Sequence, residues 1–440
     1  MSSHQNINNT NTKTPVGINV SGYINKIFGL GVAVRSNISA MKKVGLPYVI
    51  NDFNLQFSDT VKEISLEDDK FTFENPYSIN LVQINIDRLE EVFTDIDRNY
   101  FKDKYNIAFW AWELENFPEK AIPFFDFFQE IWVPSNFCAE AISKISPIPV
   151  IKIMHSIEIE KTDFGRKDFG LPEGKFIFLT MFDYYSYIER KNPIATIDAY
   201  EQSFGQNNAD VLLVIKTSIS NDFPKDKEKL LKRIGGNKSI ILIEEILEKD
   251  QLYGLMNCCD SFVSLHRSEG FGLTMAEAMF LGKPVIATAY SANTEFMNIN
   301  NSFLVKYSMV KTGDKYYCST EKDFWANPDT DHAASLMKFV FDNPKEKKEI
   351  AQKGQEFVKT YLSPEAIGNK IKDRVTYIKK YLLSRNKDFS LELARINLEK
   401  KLLQDKIDKL KSYFPIKAKL AFKNFKNKIT GKNRKYFWED

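Results

Sequence analysis

Residues that form disulfides or bind metals are scarce in this sequence. Its 440 residues include only four histidines and four cysteines, which are Cys138, Cys258, Cys259 and Cys318. The cysteines show neither C-x-x-C spacing nor a plausible disulfide framework, and so few histidines offer little for a zinc site. We therefore expect free thiols and no bound metal.

Long apolar runs are missing as well. No run approaches the ~20 residues that a helix needs to cross a bilayer. The opening residues, 1–14, are polar and lack the apolar core of a signal peptide. We expect this segment to be disordered and the protein to be cytoplasmic.

The sequence does contain enough apolar material for two domains and a tail. Its 43% hydrophobic and 13% aromatic content is typical of a globular chain, and 440 residues suit two domains of ordinary size. The net charge of +3 is unevenly spread. From Lys411 onward nine Lys or Arg face Glu439 and Asp440, so this end carries +7 and the other 410 residues carry −4. Basic character is therefore concentrated in the tail.

Short apolar segments alternate with helical patterns, as a doubly wound α/β protein requires. A strand at 16–21 is followed by a loop with Gly22, Gly29 and Gly31 and by a helix at about 32–44. Further strands are expected at 79–84, 107–112, 130–134, 149–154, 176–180, 211–215, 240–243 and 261–265. Further helices are expected at 123–129, 137–145, 193–204, 249–258, 344–361 and 364–385. Ser135 or Asn136, Asn192 and Asn343 are the expected helix caps.

Three features of the first half lie where a ligand crevice is expected, at the carboxyl ends of parallel strands. The glycine loop suits either a tight turn or a ligand loop. Glu113 follows the strand at 107–112 and is either a site group or an exposed loop carboxylate. His155 follows the strand at 149–154 and either approaches the crevice or satisfies the backbone. Arg35, one turn into the helix at 32–44, either supports the glycine loop or is solvated at the surface.

The most informative stretch runs from Ser264 to Met297. It passes from a strand through a Gly-Phe-Gly turn into a helix that begins at about Leu273. Gly270 and Gly272 permit close approach of the backbone, and the N–H groups of a helix start attract an anion such as phosphate. Glu269 and Glu277 bracket this anion site, with seven residues between them. Carboxylates accept hydrogen bonds from sugar hydroxyls, so the pattern suits a diphosphate with hydroxyl groups at both ends. That ligand is a nucleotide sugar.

A second anion site is predicted at the start of the helix at 193–204. Arg190 and Lys191 precede the helix, and Pro193 occupies its first turn. Lys216 ends the strand at 211–215 on the same side of the expected sheet. The alternative for these cations is an ordinary solvated surface.

The stretch from Glu269 through Val285 resembles the signature of family-4 retaining glycosyltransferases of the GT-B fold, E-G-F-G-L-x-x-x-E-A-M-x-x-G-x-P-V. The resemblance implies that Glu269 touches the transferred hexose and Glu277 the nucleotide ribose. It also implies that the backbone at Phe271, Gly272 and Leu273 holds the diphosphate.

The resemblance extends to residues outside the signature. Lys191 matches the family's diphosphate-binding lysine. The usual arginine is not matched, because Phe182 and Asp183 stand at its place, so Arg190 or Lys216 supplies the second charge. The first loop of the family closes over the diphosphate and the acceptor, which assigns a ligand role to Gly29 and Gly31.

The segments W-E-L-E-N-F-P and E-I-W-V-P-S-N-F are similar to a subset of these enzymes that builds bacterial surface polysaccharides, such as O-antigen or capsule. This similarity makes Glu113 a candidate for the acceptor pocket. The implied catalytic residues are thus Glu269, Lys191 and Glu113.

The fold implied by the resemblance has two Rossmann-like domains that face a cleft. Expected segments are 1–14 as a disordered start, 15–155 as the acceptor domain, 156–174 as a linker, 175–365 as the nucleotide-sugar domain, 366–388 as a helix crossing back to the first domain, and 389–440 as an amphipathic, basic helical tail.

The implied activity is retaining transfer of a hexose from a GDP- or UDP-linked sugar to a polysaccharide or lipid-linked oligosaccharide. It requires neither a metal nor a bound cofactor. Two alternatives remain open. One is a related protein that is not a transferase, such as an epimerase or a phosphorylase. The other is a non-catalytic sugar-binding scaffold.

The tail combines leucines at mostly helical spacing from Leu391 to Leu410 with a lysine-rich segment beyond Pro415. A helix there gathers Phe422, Phe425 and Ile429 on one face among lysines, which fits an anionic membrane surface at the inner face of the cell membrane. Nucleic acid is disfavoured, because these aromatics lie on the apolar side and the two domains show no basic face. The remaining alternative is a solvated, lysine-rich end.

Overall fold

The computed structural model describes residues 17–26, 29–52, 70–72, 74–86, 89, 100–313, 322–383 and 391–413. The expected disordered start at 1–14 and the lysine-rich segment beyond Pro415 lie outside these residues, as does Cys318. Cys138, Cys258 and Cys259 are free thiols, as expected. None of the described helices is long and apolar enough to cross a membrane.

The first part of the chain forms a parallel sheet of six described strands in the order β2-β1-β3-β4-β5-β6. The strands are β1 (Ile18–Gly22), β2 (Tyr48–Asp52), β3 (Ile79–Gln83), β4 (Tyr105–Phe109), β5 (Glu130–Val133) and β6 (Val150–Lys152). The described helices of this part are α1 (Gly29–Lys43), α2 (Ile122–Phe125) and α3 (Asn136–Ser143). All residues of β1, β3, β4 and β5 are buried. The asparagines among them are paired inside the sheet, where the Asn19 amide donates to Asn80 Oδ1 and the Asn80 amide to Asn106 Oδ1.

The second part forms another parallel sheet of six described strands, in the order β12-β11-β10-β7-β8-β9. The strands are β7 (Phe176–Phe182), β8 (Val211–Thr217), β9 (Ile240–Glu244), β10 (Ser261–Ser264), β11 (Val285–Thr288) and β12 (Phe303–Val305). The helices among them are α4 (Ile188–Lys191), α5 (Pro193–Phe204), α6 (Pro224–Ile234), α7 (Lys249–Cys258) and α8 (Leu273–Phe280). The strand order reverses between β7 and β10, which is where doubly wound sheets open a ligand crevice.

An antiparallel hairpin follows β12. It consists of β13 (Tyr307–Lys311) and β14 (Phe324–Pro328). Trp325 of β14 is buried in the aromatic cluster of the first domain, and the Asn116 amide donates to Asp323 Oδ1 at 3.0 Å. The hairpin therefore ties the second domain to the first.

The predicted class, two doubly wound α/β domains, is confirmed, with differences at several element ends. The strand predicted at 107–112 ends at Phe109. Beyond it the backbone pairs with side chains, because Ala111 N–H donates to Asn85 Oδ1 and Trp112 N–H to Cys138 Sγ. The helix predicted at 123–129 is only the short α2.

The expected helix caps divide into one that caps and two that do not. The Ser135 hydroxyl accepts the Cys138 N–H at 3.2 Å and caps α3. Asn192 makes no side-chain cap. It adopts a left-handed conformation (φ 54°), and its amide instead donates to Leu265 O at 3.0 Å. Asn343 likewise does not cap the helix that follows it, because its amide donates back to Phe339 O.

The last described elements are α9 (Thr330–Asp342), α10 (Pro344–Tyr361), α11 (Pro364–Tyr377) with a π-helical turn over Ile378–Leu382, and α12 (Leu391–Tyr413). Helix α11 returns to the first domain as expected. A Cβ at Gly368 would lie 2.2 Å from Ala40 O of α1, so the two helices touch through a glycine. Leu398 of α12 is buried in the aromatic cluster of the first domain. This part of the tail is thus a helix packed on the protein.

The chain crosses between the domains twice, and the two crossings meet. Ile157 N–H, at the start of the first crossing, donates to Leu362 O, just before α11, at 2.7 Å. Because both connections between the domains run through this point, we expect it to act as the hinge when one domain rotates against the other.

A buried ion pair fixes α11 on the first domain. Glu130 of β5 is fully buried, and both nitrogens that Arg374 presents to it, Nε and Nη2, contact its carboxylate. Tyr105 O–H and Trp132 Nε1–H donate to the same carboxylate at 3.0 and 2.6 Å. The Glu130 carboxylate therefore accepts four contacts, two from Arg374 of the crossing helix and two from side chains of the first domain.

We expect Arg374→Ala to lower the free energy of unfolding by about 3–5 kcal/mol, because it leaves a buried carboxylate without its cation. Chemical denaturation measures this loss. The double variant Glu130→Gln/Arg374→Ala should recover part of it, since no buried charge remains. Lys338→Ala, which removes an exposed i,i+4 pair with Asp342, is the control and should cost less than about 0.5 kcal/mol. Equal effects of Arg374→Ala and Lys338→Ala would contradict this account of the closing helix.

Candidate functional site

Two cations and a carboxylate meet at the reversal point of the second sheet. Lys191 Nζ lies 2.5 Å from Glu269 Oε1, and Arg190 Nη1 lies 3.4 Å from Glu269 Oε2. Each carboxylate oxygen therefore has its own cation. Glu269 is only 8% exposed and Arg190 5%.

The backbone holds this cluster in place. Arg267 N–H donates to Arg190 O at 2.7 Å, and Arg190 Nη1 donates to Ser268 O at 3.0 Å. The segment after β10 is thus bonded to α4 through the two residues directly before Glu269. The left-handed turn at Asn192 separates α4 from α5 and allows Arg190 and Lys191 to face β10.

The electrostatics of the cluster keep Glu269 ionised. Burial alone would raise the pKa of Glu269, but Lys191 and Arg190 hold the pKa down to about 2. Burial lowers the pKa of the Lys191 ammonium, and Glu269 opposes that shift. The cluster therefore holds the buried Arg190 and the half-buried Lys191 against a carboxylate that protonates only in strong acid.

Glu113 of the first domain joins the cluster across the cleft. Its Oε1 lies 3.8 Å from Arg190 Nη2, and its backbone oxygen accepts a hydrogen bond from the Ser268 hydroxyl. Arg190 thus stands between Glu269 and Glu113. The sequence-predicted catalytic residues Glu269, Lys191 and Glu113 are brought together by the fold.

The glycine turn lies beside this cluster and against the first domain. Gly270 O accepts from Ser135 Oγ at 2.8 Å and from Cys138 Sγ at 3.3 Å. Gly272 has φ +97°, a conformation that favours glycine, and it precedes α8. Leu273 begins α8, so its N-terminal end points into the cleft, as the sequence predicts for an anion site.

Phe271 is buried under the hinge. Its ring contacts those of His155 and Phe296, with centroids 5.0 and 5.3 Å away. His155 also stacks on Phe109, and burial lowers its pKa to about 3, so its imidazole is neutral. His155 Nδ1 and Gln83 Oε1 have no hydrogen-bond partner among the described residues, and both side chains line a small cavity with Asn85. The His155 ring thus packs against Phe109 and Phe271, and it also lines the small cavity on the cleft side.

Glu277 lies one helical turn deeper along α8. It is buried, and its Oε1 accepts from Tyr253 O–H at 3.0 Å. Burial raises its pKa, although Tyr253 and Lys249 oppose this shift. The positive charge of Arg35, on α1 of the first domain, acts on the Tyr253 hydroxyl, whose pKa is raised by burial and by Glu277.

The first loop is shaped by Arg35 and Gly31. Arg35 Nη1 donates to Ile24 O and Lys26 O, both at 2.8 Å, which confirms the supporting alternative for this arginine. A Cβ at Gly31 would lie 2.1 Å from Lys26 O, whereas nothing lies within 4 Å of one at Gly29. Gly31 is therefore required by the packing of the loop, and Gly29 opens α1 toward solvent.

Lys216 stands apart from the cluster. Burial lowers its pKa, and the charges that act on it are those of Asp183 and Glu245. Of the two candidates for the second cation, Arg190 is the one that contacts Glu269, whereas Lys216 is influenced by Asp183 and Glu245. No described group of three or more His, Cys, Asp or Glu side chains is arranged to hold a metal ion.

Sequence reasoning missed a set of residues that join the domains beside Glu269. Ser291 Oγ accepts the Glu269 N–H at 2.8 Å. Glu295 forms an ion pair with Lys152 of β6 at 2.7 Å and accepts the Asn136 N–H of α3. The pattern N-T-E indicates a helix start after β11, but the partners of Glu295 belong to a different domain and leave no local signal.

Residues 162–311 match the family model described as "Glycosyl transferases group 1". None of the curated proteins compared with the chain shows significant sequence similarity to it. The matched residues run from the crossing before β7 to the end of β13, and the similarity therefore lies in the second domain.

Solved structures share the fold of both domains. A glycosyltransferase from Rickettsia africae superposes with a TM-score of 0.59 at 14% identity, covering 83% of this chain and 98% of that one. Sucrose-phosphate synthase from Thermosynechococcus elongatus gives 0.59 at 14% identity, covering 83% and 100%. Anabaena HepE in complex with UDP and glucose gives 0.57 at 12% identity, covering 82% and 100%. The predicted GT-B fold is thus confirmed.

The buried carboxylate makes stability depend on pH in a defined direction. The pKa of Glu269 falls from an ordinary 4.5 to about 2 on folding, so its contribution is complete above pH 4.5 and is lost as pH falls toward 2. We expect Glu269→Gln to be less stable than wild type at pH 6, with the difference shrinking as pH falls through this window. Chemical denaturation at pH 6, 4 and 3 measures it. Glu228→Gln, at an exposed position of α6, is the matched control. A difference that does not change with pH would contradict the assignment.

Proposed function

We propose that this chain transfers a hexose from a nucleotide diphosphate sugar to a polysaccharide or lipid-linked oligosaccharide, with retention at the anomeric carbon, in bacterial surface glycan synthesis. The observation that carries the proposal is the convergence of Lys191 and Arg190 on Glu269, beside the glycine turn that begins α8. Two cations and a helix N-terminus form a site for a diphosphate, and the carboxylate at its edge suits a sugar hydroxyl.

Glu269 neutralises the two cations in the structure described here. A nucleotide sugar brings a diphosphate with a double negative charge, which can replace Glu269 as their partner. Glu269 is then released to accept hydrogen bonds from hydroxyls of the hexose. Negative charge develops on the leaving diphosphate, and Lys191, Arg190 and the N–H groups of α8 are already placed to stabilise it. We therefore propose that no divalent metal is required.

The other site residues follow from the position of the diphosphate. Glu277, one turn along α8, is placed for the ribose, with Tyr253 orienting its carboxylate. Glu113 approaches from the first domain and faces the acceptor. The HepE structure contains UDP and glucose, and we propose a UDP- or GDP-linked hexose as the donor here.

Retention without a covalent intermediate is proposed from the roles of the two carboxylates at the site. Once the diphosphate has released it, Glu269 accepts hydrogen bonds from hydroxyls of the hexose, and Glu113 faces the acceptor, so neither is proposed as the nucleophile at the anomeric carbon. We therefore propose that the acceptor hydroxyl attacks on the face from which the diphosphate leaves, without a covalent enzyme intermediate.

We expect one family of UDP-, GDP- or dTDP-sugars to raise the melting temperature of the protein. A ligand at about 100 times its Kd stabilises the folded state by about 2.7 kcal/mol. Lys191→Ala should weaken this binding at least about tenfold, because it removes a charge-assisted contact to the diphosphate. Lys338→Ala is the matched control and should bind as wild type does. NMR of the anomeric proton in the product then reports retention.

No thermal shift with any of these sugars would favour the non-catalytic scaffold. A shift without transfer, accompanied by a changed sugar, would favour an epimerase. A shift that requires inorganic phosphate and a free glycan would favour a phosphorylase.

We also propose that the tail brings the enzyme to the inner face of the cell membrane, where a lipid-linked acceptor resides. Lysines at 417, 419, 423, 426 and 428 would meet anionic headgroups at about 1 kcal/mol each, with Phe422, Phe425 and Ile429 in the interface. Nucleic acid is not part of this proposal.

Vesicle flotation tests the tail. The full chain should float with vesicles of anionic lipid and remain in the bottom fraction of the gradient with neutral vesicles. Removal of residues 414–440, which leaves α12 whole, should abolish flotation and keep the thermal shift with the nucleotide sugar. Equal flotation of both proteins would leave the tail without a membrane role.

A further inference from the structure

A pocket of about 430 Å³ lies between the domains next to Glu269. It is lined by Asn136, Phe137, Glu140, Lys152, Ser291, Thr294 and Glu295. Its volume is in the range of ligand sites, and both domains contribute to it. It is separate from the Glu277 end of α8, where the nucleotide is proposed to bind.

The pocket is joined to the reacting end of the site by Ser291. The Ser291 hydroxyl accepts the Glu269 N–H at 2.8 Å, and its own backbone has φ 71° and ψ −154°. This region is almost restricted to glycine and strains a residue with a side chain. Such strain concentrates at functional sites, and here it lies between Glu269 and the pocket.

A row of three aromatic rings leads from the pocket to the surface. Phe137 contacts Tyr290 with ring centroids 5.6 Å apart, and Tyr290 contacts Tyr307 at 5.2 Å. Tyr290 O–H donates to Glu115, two residues after the acceptor candidate Glu113. Tyr307 is 40% exposed on the hairpin strand β13. Aromatic faces of this kind pack against the apolar faces of sugar rings, while their polar edges bond to hydroxyls.

The charge of the pocket selects among glycans. Glu140, Glu295 and Lys152 are its charged lining residues, and Glu295 already engages Lys152 at 2.7 Å, which leaves one carboxylate in excess. The carboxylates accept hydrogen bonds from hydroxyls and repel anionic groups. The lining therefore suits neutral sugars and disfavours uronic acids or phosphates.

We propose that this pocket and aromatic row form the binding track of the acceptor, which is a neutral oligosaccharide of at least three sugars. The proposal rests on the transferase function above. The terminal sugar occupies the pocket with its reactive hydroxyl toward Glu113 and Glu269, and the following sugars lie along Phe137 and Tyr307, whose rings are joined by the buried Tyr290. The enzyme thus adds a hexose to an existing glycan chain, and it recognises the sugars behind the terminal one as well.

The test uses the full chain on an array of neutral and acidic bacterial oligosaccharides, with the thermal shift by UDP and GDP measured in parallel. Wild type should bind neutral glycans of three or more sugars. Thr294→Trp, which fills the pocket from an exposed position, should abolish this binding. Tyr307→Ala should weaken it by about threefold to tenfold for trisaccharides and longer chains, and leave disaccharides unaffected. Tyr361→Ala, at an exposed tyrosine of α10, is the matched control and should bind as wild type does.

Retention of the nucleotide shift by both variants shows that they are folded. Binding restricted to acidic glycans, equal binding by wild type and both variants, or no glycan binding at all would overturn the acceptor track. Absence of the nucleotide shift in wild type would instead contradict the proposed transferase function, so the two failures are distinguishable.

Discussion

The balance of charge at Glu269 is the constraint on which the site depends. Arg190 is buried beside it and Lys191 is half-buried, and two such cations without a carboxylate would be costly. Because Arg190 also bonds to Ser268 and approaches Glu113, the same balance sets the geometry of the segment after β10 and its distance from the first domain. A ligand that enters the site must take over the role of Glu269, and a diphosphate is the ligand class whose charge matches.

The contacts between the domains describe a closed cleft. Ser135 bonds to Gly270, Ser268 to the backbone of Glu113, and Glu295 to Lys152. A nucleotide sugar enters only when these contacts open, whereas the Arg374–Glu130 pair keeps α11 on the first domain. We therefore expect the cleft to open by rotation about the point where Ile157 and Leu362 meet. Glu113 would move with the first domain, and Arg190, Lys191 and Glu269 would stay together in the second.

The fold and the donor side of the site could be predicted from the sequence because their signals are local. The strand, glycine turn and helix around Gly272 lie within one short segment, and Arg190 and Lys191 directly precede a helix. The contact of Arg190 with Glu269 could not be predicted, because it depends on the turn at Asn192. The Glu295–Lys152 pair and the Phe137–Tyr290 contact join residues more than 100 positions apart, so nothing in either segment indicates the other.

The most direct test of the account compares nucleoside diphosphate binding and sugar transfer in Glu269→Gln and wild type. Calorimetry with UDP or GDP, whichever the thermal shift selects, gives the affinity, and product formation from the matching sugar nucleotide gives the rate. The account predicts that Glu269→Gln binds the nucleoside diphosphate at least as tightly as wild type, because the two cations lose their competing carboxylate. It also predicts that transfer falls by about 100-fold or more, since the hexose loses its contact. Loss of nucleotide binding in Glu269→Gln would contradict an exchange of Glu269 for the diphosphate.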